Sequence, residues 1–415
     1  MTSICLYFQV HQPRRLRRIQ SFKPPTEPDY WDAEENERIL DRAAEKCYLP
    51  ANETIRDLIH ETDGRFKVAF SLSGVFLDQA RRHRPDVLAS FRELARTGNV
   101  EFLAETYYHS LAGLWDEGTE FEAQVRRHGE AIEREFGHEP TVFRNTELIY
   151  DDRIADQVDG LGYEAILTEG SDRLLGWRSP NHLYEPQSEG NDLSVLLKNY
   201  QLSDDVAFRF STPGWSEQPL TADKFTAWLD ETPGETINLF MDYETFGEHQ
   251  WPQTGIFDFL EALPRHVDER SGLSFASPSE LVDELDPVGT IEAPQAVSWA
   301  DQERDVSAWL HNKMQQECFA ELQRLEPLVH AVGDRDLMQA WRLLQTSDHL
   351  YYCSTKGYGD QEIHEYFSPY DSPYVAYINF MNALGDLKEK ARRRLREQGE
   401  TEIEATAPAQ APLPG

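Results

Sequence analysis

Short apolar runs rich in β-branched and aromatic residues punctuate the N-terminal part of the chain: Ile4–Val10, Lys67–Leu72, Val100–Leu103, Thr141–Arg144, Ala165–Thr168, Ser194–Leu197, Ile237–Met241 and Leu273–Phe275. Each predicts a strand, and each gives way to polar or helix-like sequence. Arg84–Thr97, Phe121–Phe136 and Asp152–Leu161 lie between several of them and predict helices. Strand and helix in alternation predict parallel βα units. Seven or eight such units predict an α/β fold with a closed or nearly closed barrel.

The texture changes after about residue 285. Pro287, Gly289 and Pro294 punctuate Asp286–Pro294 as a linker or domain edge would. Beyond it, Trp309–Leu325, Asp334–Gln345 and Val375–Arg396 carry apolar residues at three and four spacing, the period of amphipathic helices. The expected organisation is a barrel over 1–285, a linker over 286–300, a helical domain over 301–396 and a disordered Ala/Pro-rich tail over 397–415.

Composition narrows the partners. Hydrophobic residues are 40% of the chain and aromatics 11%, enough to fill a sizeable core. Asp and Glu number 74 against 40 Lys and Arg, a formal net charge of -34 that makes nucleic acid a poor partner. The acidic residues are scattered and Arg outnumbers Lys, a surface suited to a cytosol of very high salt, so a halophilic source is expected. Cys5, Cys47, Cys318 and Cys353 show no spacing typical of a zinc site or disulfide scaffold. Ile4–Val10 reads as a strand, not a signal segment, and no run approaches the ~18 apolar residues of a membrane span. A cytoplasmic placement without a membrane partner is expected.

Candidate chemistry sits where apolar runs end, because in barrel enzymes those ends form the active face. Ile4–Val10 runs into His11-Gln12-Pro13, and Val100–Leu103 into Glu105 and His109. Thr141–Arg144 runs into Asn145-Thr146-Glu147, and Ile237–Met241 into Asp242-Tyr243-Glu244 and then Glu248, His249 and Trp251. Carboxylates, histidines and aromatics without a cysteine nucleophile or phosphate loop suit sugar, since rings stack on pyranoses while polar groups bond hydroxyls. Glycoside cleavage needs one protonated and one ionised carboxyl group, and Glu147 and Asp242 are the leading candidates. Metal-dependent sugar chemistry would need clustered His and Asp ligands, whereas His11, His109 and His249 are far apart in sequence. No metal or cofactor is expected.

Four strings in order, His11-Gln12-Pro13, Gly98-Asn99-Val100-Glu101, Phe143 to Leu148 and Phe240 to His249, resemble the signature regions of glycoside hydrolase family 57, in wording closest to its short archaeal and bacterial α-amylase branch. Ser347 to Tyr352 resembles a fifth, more variable region. The resemblance implies an incomplete seven-stranded barrel with an attached helical domain, acting on α-1,4-glucans or maltooligosaccharides with retention. By position it makes Glu147 the nucleophile and Asp242 the general acid/base. His11, Glu101 and Glu244 match donor-sugar positions, and Asp348 and His349 match more loosely. His109 and Trp251 join them as candidate sugar contacts. The family also holds glucanotransferases, so a 4-α-glucanotransferase is an alternative, as is a non-catalytic glucan-binding relative. Oligomeric state is not legible.

Overall fold

The computed structural model describes residues 1–19, 25–116, 118–188, 190–357, 364 and 366–399; the expected tail falls outside them from residue 400 onward. The chain forms two compact units. One comprises Met1–Gln12, Glu37–Tyr107 and Glu117–Trp299, the other Pro13–Asn36, Tyr108–Asp116 and Ala300–Gly415.

The first unit holds β1 (Thr2–Val10), β2 (Val68–Leu72), β3 (Val100–Phe102), β4 (Val142–Arg144), β5 (Ala165–Glu169), β6 (Glu185–Pro186), β7 (Ser194–Lys198), β8 (Thr236–Asp242), β9 (Leu273–Phe275) and β10 (Thr290–Ile291). Seven parallel strands run in the order β3-β2-β1-β8-β7-β5-β4, with β9 added beside the start of β1. The two edges meet at Ala104, just past β3, which bridges Phe143 of β4 in parallel. Ala104 N–H donates to Val142 (3.0 Å) and Arg144 N–H donates to Ala104 (2.8 Å). The seam is thin, and the curled sheet is a seven-stranded (β/α) barrel. All eight apolar runs are strands of this sheet, seven in the ring and β9 beside β1, because a strand covered on both sides must be apolar on both faces.

Alternate residues turn into the lumen, as the two-residue period of a strand requires. Cys5 and Tyr7 of β1, Ala69 of β2, Val142 of β4, Ala165 and Leu167 of β5, Leu196 of β7 and Phe240 of β8 share one buried cluster. Phe8, Phe70, Tyr243 and Phe91 pack as a second aromatic group with ring centroids 4.9–6.2 Å apart. Within 286–300, β10 pairs with β6, and Val297 bridges Tyr150.

The second unit is mainly helical, with helices Lys313–Val332, Arg335–Leu344 and Pro373–Glu397. One expectation needs correcting here: a single helix from Trp309 is interrupted. Ser307–Leu310 ends, and Asn312 opens the next helix with a capping box in which its side chain accepts from Gln315 N–H (2.9 Å) and Gln315 Oε1 accepts from Asn312 N–H (3.1 Å). Asparagine is a strong N-cap, so the helix restarts there. Among the described residues no helix is long and apolar enough to cross a membrane.

Candidate active site

Glu147 stands in a turn that the chain goes to some length to hold. β4 ends at Arg144; Glu147 then adopts φ 56°, ψ 28° and Leu148 φ 52°, two consecutive left-handed residues, neither of them glycine. Such backbone is costly and persists only where surroundings enforce it. Here Asn145 Oδ1 accepts from Thr146 N–H (2.9 Å) while its Nδ2 donates to Ile149 O (2.9 Å). Thr168 Oγ1 donates to Leu148 O (3.1 Å), and the Glu147 carbonyl accepts from Ser298 Oγ (2.9 Å) and Trp299 N–H (3.3 Å). The carboxylate is also engaged, with Trp299 Nε1–H donating to Glu147 Oε2 at 2.6 Å.

Asp242 ends β8 and is half-buried. Around the seven-strand ring, β4 and β8 are separated by three steps in one direction and four in the other. Glu147 and Asp242 therefore rise from opposite walls at the same, C-terminal end of the strands. Tyr7 of β1 points into the same lumen, and its phenol feels the charges of Arg144, Glu105 and Asp242, although burial is the main reason its pKa is raised. Tyr7 donates to Gln9 Oε1 (2.9 Å) and is bonded to Ser71 Oγ (2.6 Å). Arg144 and Glu105 are both fully buried and paired at 3.5 Å.

The loop after β8 carries the next group. Gly247 has φ 106°, and a Cβ there would lie 1.9 Å from the Lys46 carbonyl, so only glycine lets this loop close down. Arg42 (2.7 Å) and Lys46 (3.2 Å) clamp Glu248. Glu244 is buried, and its Oε1 accepts from Tyr48 OH and from Gln12 Nε2 (3.3 Å). Burial, followed by the neighbouring Asp242 charge, pushes its pKa up to about 8. Glu244 is thus a neutral acid at pH 7. His249 is held down at about 4 by burial, so its ring is neutral as well.

His11 follows β1, and its Nδ1 is bonded to Ser73 Oγ at 2.7 Å. That hydroxyl also accepts from Phe76 N–H (3.2 Å), which ties His11 to the start of helix Gly74–His83. Trp251 is 61% exposed on the loop after β8. Glu101 is placed differently: it lies on β3 with its Oε2 accepting from the backbone N–H (3.0 Å) and hydroxyl (2.9 Å) of Ser279, in the first turn of helix Pro278–Glu284. The structure joins it to this helix start and not to the Glu244 and His11 group. In the second unit, His109 (φ 50°) accepts through its carbonyl from Ser347 N–H (2.9 Å), which brings it beside Asp348 and His349. His349 is buried, stacked on Phe380 at 5.3 Å and on Trp31 at 6.2 Å.

Residues 5–294 match the sequence model of glycosyl hydrolase family 57. The chain belongs to that family. A family relative from Methanocaldococcus jannaschii, named "Putative alpha-amylase", is 45% identical over 396 residues, which cover 93% of this chain and 84% of the relative. Among solved structures, a family-57 branching enzyme from Thermococcus kodakaraensis is similar at a TM-score of 0.69 and 13% identity, covering 97% of this chain and 93% of that one. A 4-alpha-glucanotransferase from Thermococcus litoralis is similar at 0.64 and 16% identity, but this chain spans only 59% of its length. At such identity these structures establish the shared fold.

Several residues that the structure gathers around the Glu147 turn were not singled out by sequence reading. Trp299 is the chief one, since nothing in its neighbourhood marks a strand end. Lys198 and Glu169, paired at 3.7 Å and both buried, also escaped, though they end β7 and β5 and follow the same strand-end rule that found Glu147. Glu105 and Arg144 were visible as strand-end residues, but their pairing was not.

Proposed function

We propose that this family-57 glycosidase hydrolyses α-1,4-linked glucans or maltooligosaccharides with retention of configuration, Glu147 acting as nucleophile and Asp242 as general acid/base. The reading rests chiefly on Glu147: a carboxylate held in left-handed backbone at a strand end, with a donor on one oxygen, opposite a second strand-end carboxyl across a barrel mouth. Strain of this kind collects where a group must be aimed. Asp242 gives its proton to the glycosidic oxygen as Glu147 attacks the anomeric carbon, forming a glycosyl ester. Ionised Asp242 then takes a proton from water, which attacks the ester and releases the sugar with its original configuration.

Neutral Glu244 is suited to donate to a sugar oxygen without adding negative charge beside Asp242. His11, at the end of β1, is a candidate for the same task, and the exposed Trp251 offers a ring face for stacking. Roles in sugar binding for Glu101, Asp348 and His349 rest on the family resemblance, and that for His109 on its place after the third apolar run. No step calls for a cofactor.

Incubation with one defined maltooligosaccharide, followed by proton NMR of the first products and separation by length, tests the proposal. The α-anomer forms first and products are shorter than substrate. Early β-anomer would sink the retaining assignment. A second reading, 4-α-glucanotransferase, is favoured by exposed aromatic rings in the segments that follow β5, β7 and β8: Trp177 (94%), Phe208 (61%) and Trp251. These could stack an acceptor sugar, and a ladder of longer oligosaccharides would select this reading.

A further inference from the structure

Trp299 lies past residue 294, outside the span matched to the family, yet its side chain bonds the carboxylate of the proposed nucleophile directly. Its Nε1–H donates to Glu147 Oε2 at 2.6 Å while its backbone N–H reaches the Glu147 carbonyl. Two cations stand over the indole: the Arg144 guanidinium 5.0 Å and Lys198 Nζ 5.3 Å from the ring. Both are almost fully buried. Each is fixed in turn, Arg144 by Glu105 (3.5 Å) and Lys198 by Asp204 (3.1 Å) and Glu169 (3.7 Å). They come from β4 and β7, so the indole is held by the barrel wall itself.

We infer that Trp299, held under Arg144 and Lys198, is the positioning residue that keeps Glu147 ionised and aimed; this rests on the reading of Glu147 as nucleophile. A cation over an indole face is attracted by the ring electrons and draws density from the N–H, making it a stronger donor. A charge-assisted bond from that N–H stabilises the carboxylate over the carboxylic acid. The two buried cations add to the same bias, because an electrostatic environment built into the fold costs no reorganisation during the reaction.

Trp299→Phe in the full chain keeps a ring under the cations and removes only the donor. The expected result is a kcat lower by about 10- to 100-fold, KM within about threefold, and an acidic limb of the kcat/KM pH profile moved up by about one unit. An unmoved acidic limb, or a loss confined to KM, would overturn the inference and make Trp299 a sugar platform or a packing residue. Should Trp299→Phe not fold, a ring-fluorinated tryptophan at position 299 keeps the shape and makes the N–H more acidic. The limb then moves down, and no movement overturns the inference. The reading beneath it is tested apart, by Glu147→Ala with azide: restored turnover giving a β-glycosyl azide identifies the nucleophile. Absence of rescue removes that reading whatever Trp299 does.

Discussion

Replacing Glu244 by glutamine isolates the one carboxyl group in the site whose protonation is most strongly perturbed. Its pKa rises from 4.5 to about 8, first through burial and then through Asp242. The folded state therefore holds a proton that the unfolded chain has already released above about pH 4.5. The stability contributed by the neutral carboxyl is fully present below that pH, and it is lost progressively as pH rises toward 8. At 1.36 kcal/mol per unit, the penalty is about 3 kcal/mol at pH 7 and under about 1 kcal/mol at pH 5. Glutamine keeps the acceptor oxygen used by Tyr48 and Gln12, replaces the acid proton with an amide proton, and does not titrate. Glu244→Gln should thus melt about 1 °C above the parent at pH 5 and about 4 °C above it at pH 7, for an unfolding entropy scaled to this chain length. Thermal scans at half-unit intervals from pH 5 to 8 measure the gap. A gap constant with pH, or one that narrows as pH rises, would refute a neutral Glu244. Activity gives a second check: at pH 6 the variant should keep kcat/KM within about tenfold if, as proposed, this carboxyl meets the sugar as a neutral donor.

Glu147→Gln should lower turnover by at least about 10³-fold and still bind maltooligosaccharide, measured by calorimetry, because the amide cannot form the ester but keeps the shape. Asp242→Asn should cost about 10²- to 10⁴-fold on maltooligosaccharides and far less in the first step on a nitrophenyl glycoside, whose leaving group needs no proton; equal losses on both would argue against an acid role. With a net charge of -34, activity and melting temperature should rise on moving from low salt to molar KCl, where screening is effective beyond about 3 Å; a monotonic loss would remove the halophilic reading. Trp251→Ala should raise KM for long maltooligosaccharides more than for maltose-sized ones, and an equal effect on both would exclude a stacking platform.

The barrel was legible because its strands are apolar on both faces and short, a pattern that local sequence cannot hide. Strand ends were legible for the same reason, so Glu147, Asp242, His11 and Glu244 could be named before any contact was known. Glu101 shows the limit of that rule. It falls in the right string, yet its carboxyl meets Ser279, 178 residues away, at a helix start that no neighbour of Glu101 announces. The break at His311–Asn312 shows another: periodic apolar spacing continues across it, and only the capping bonds reveal where one helix stops.

By itself, then, the sequence determined the fold class, the family and the order of strand-end chemistry, because hydrophobic period and short motifs are properties of neighbouring residues. Tertiary structure alone decided which groups share an electrostatic environment. The ring order sets β4 opposite β8, and the left-handed turn at Glu147 is held by Ser298 and Trp299, some 150 residues further on. The neutrality of Glu244 depends on burial beneath Tyr48 and on Asp242 nearby. Charge and desolvation act through space and not along the chain, so a proton's place on this rim could be read only after the barrel had closed around it.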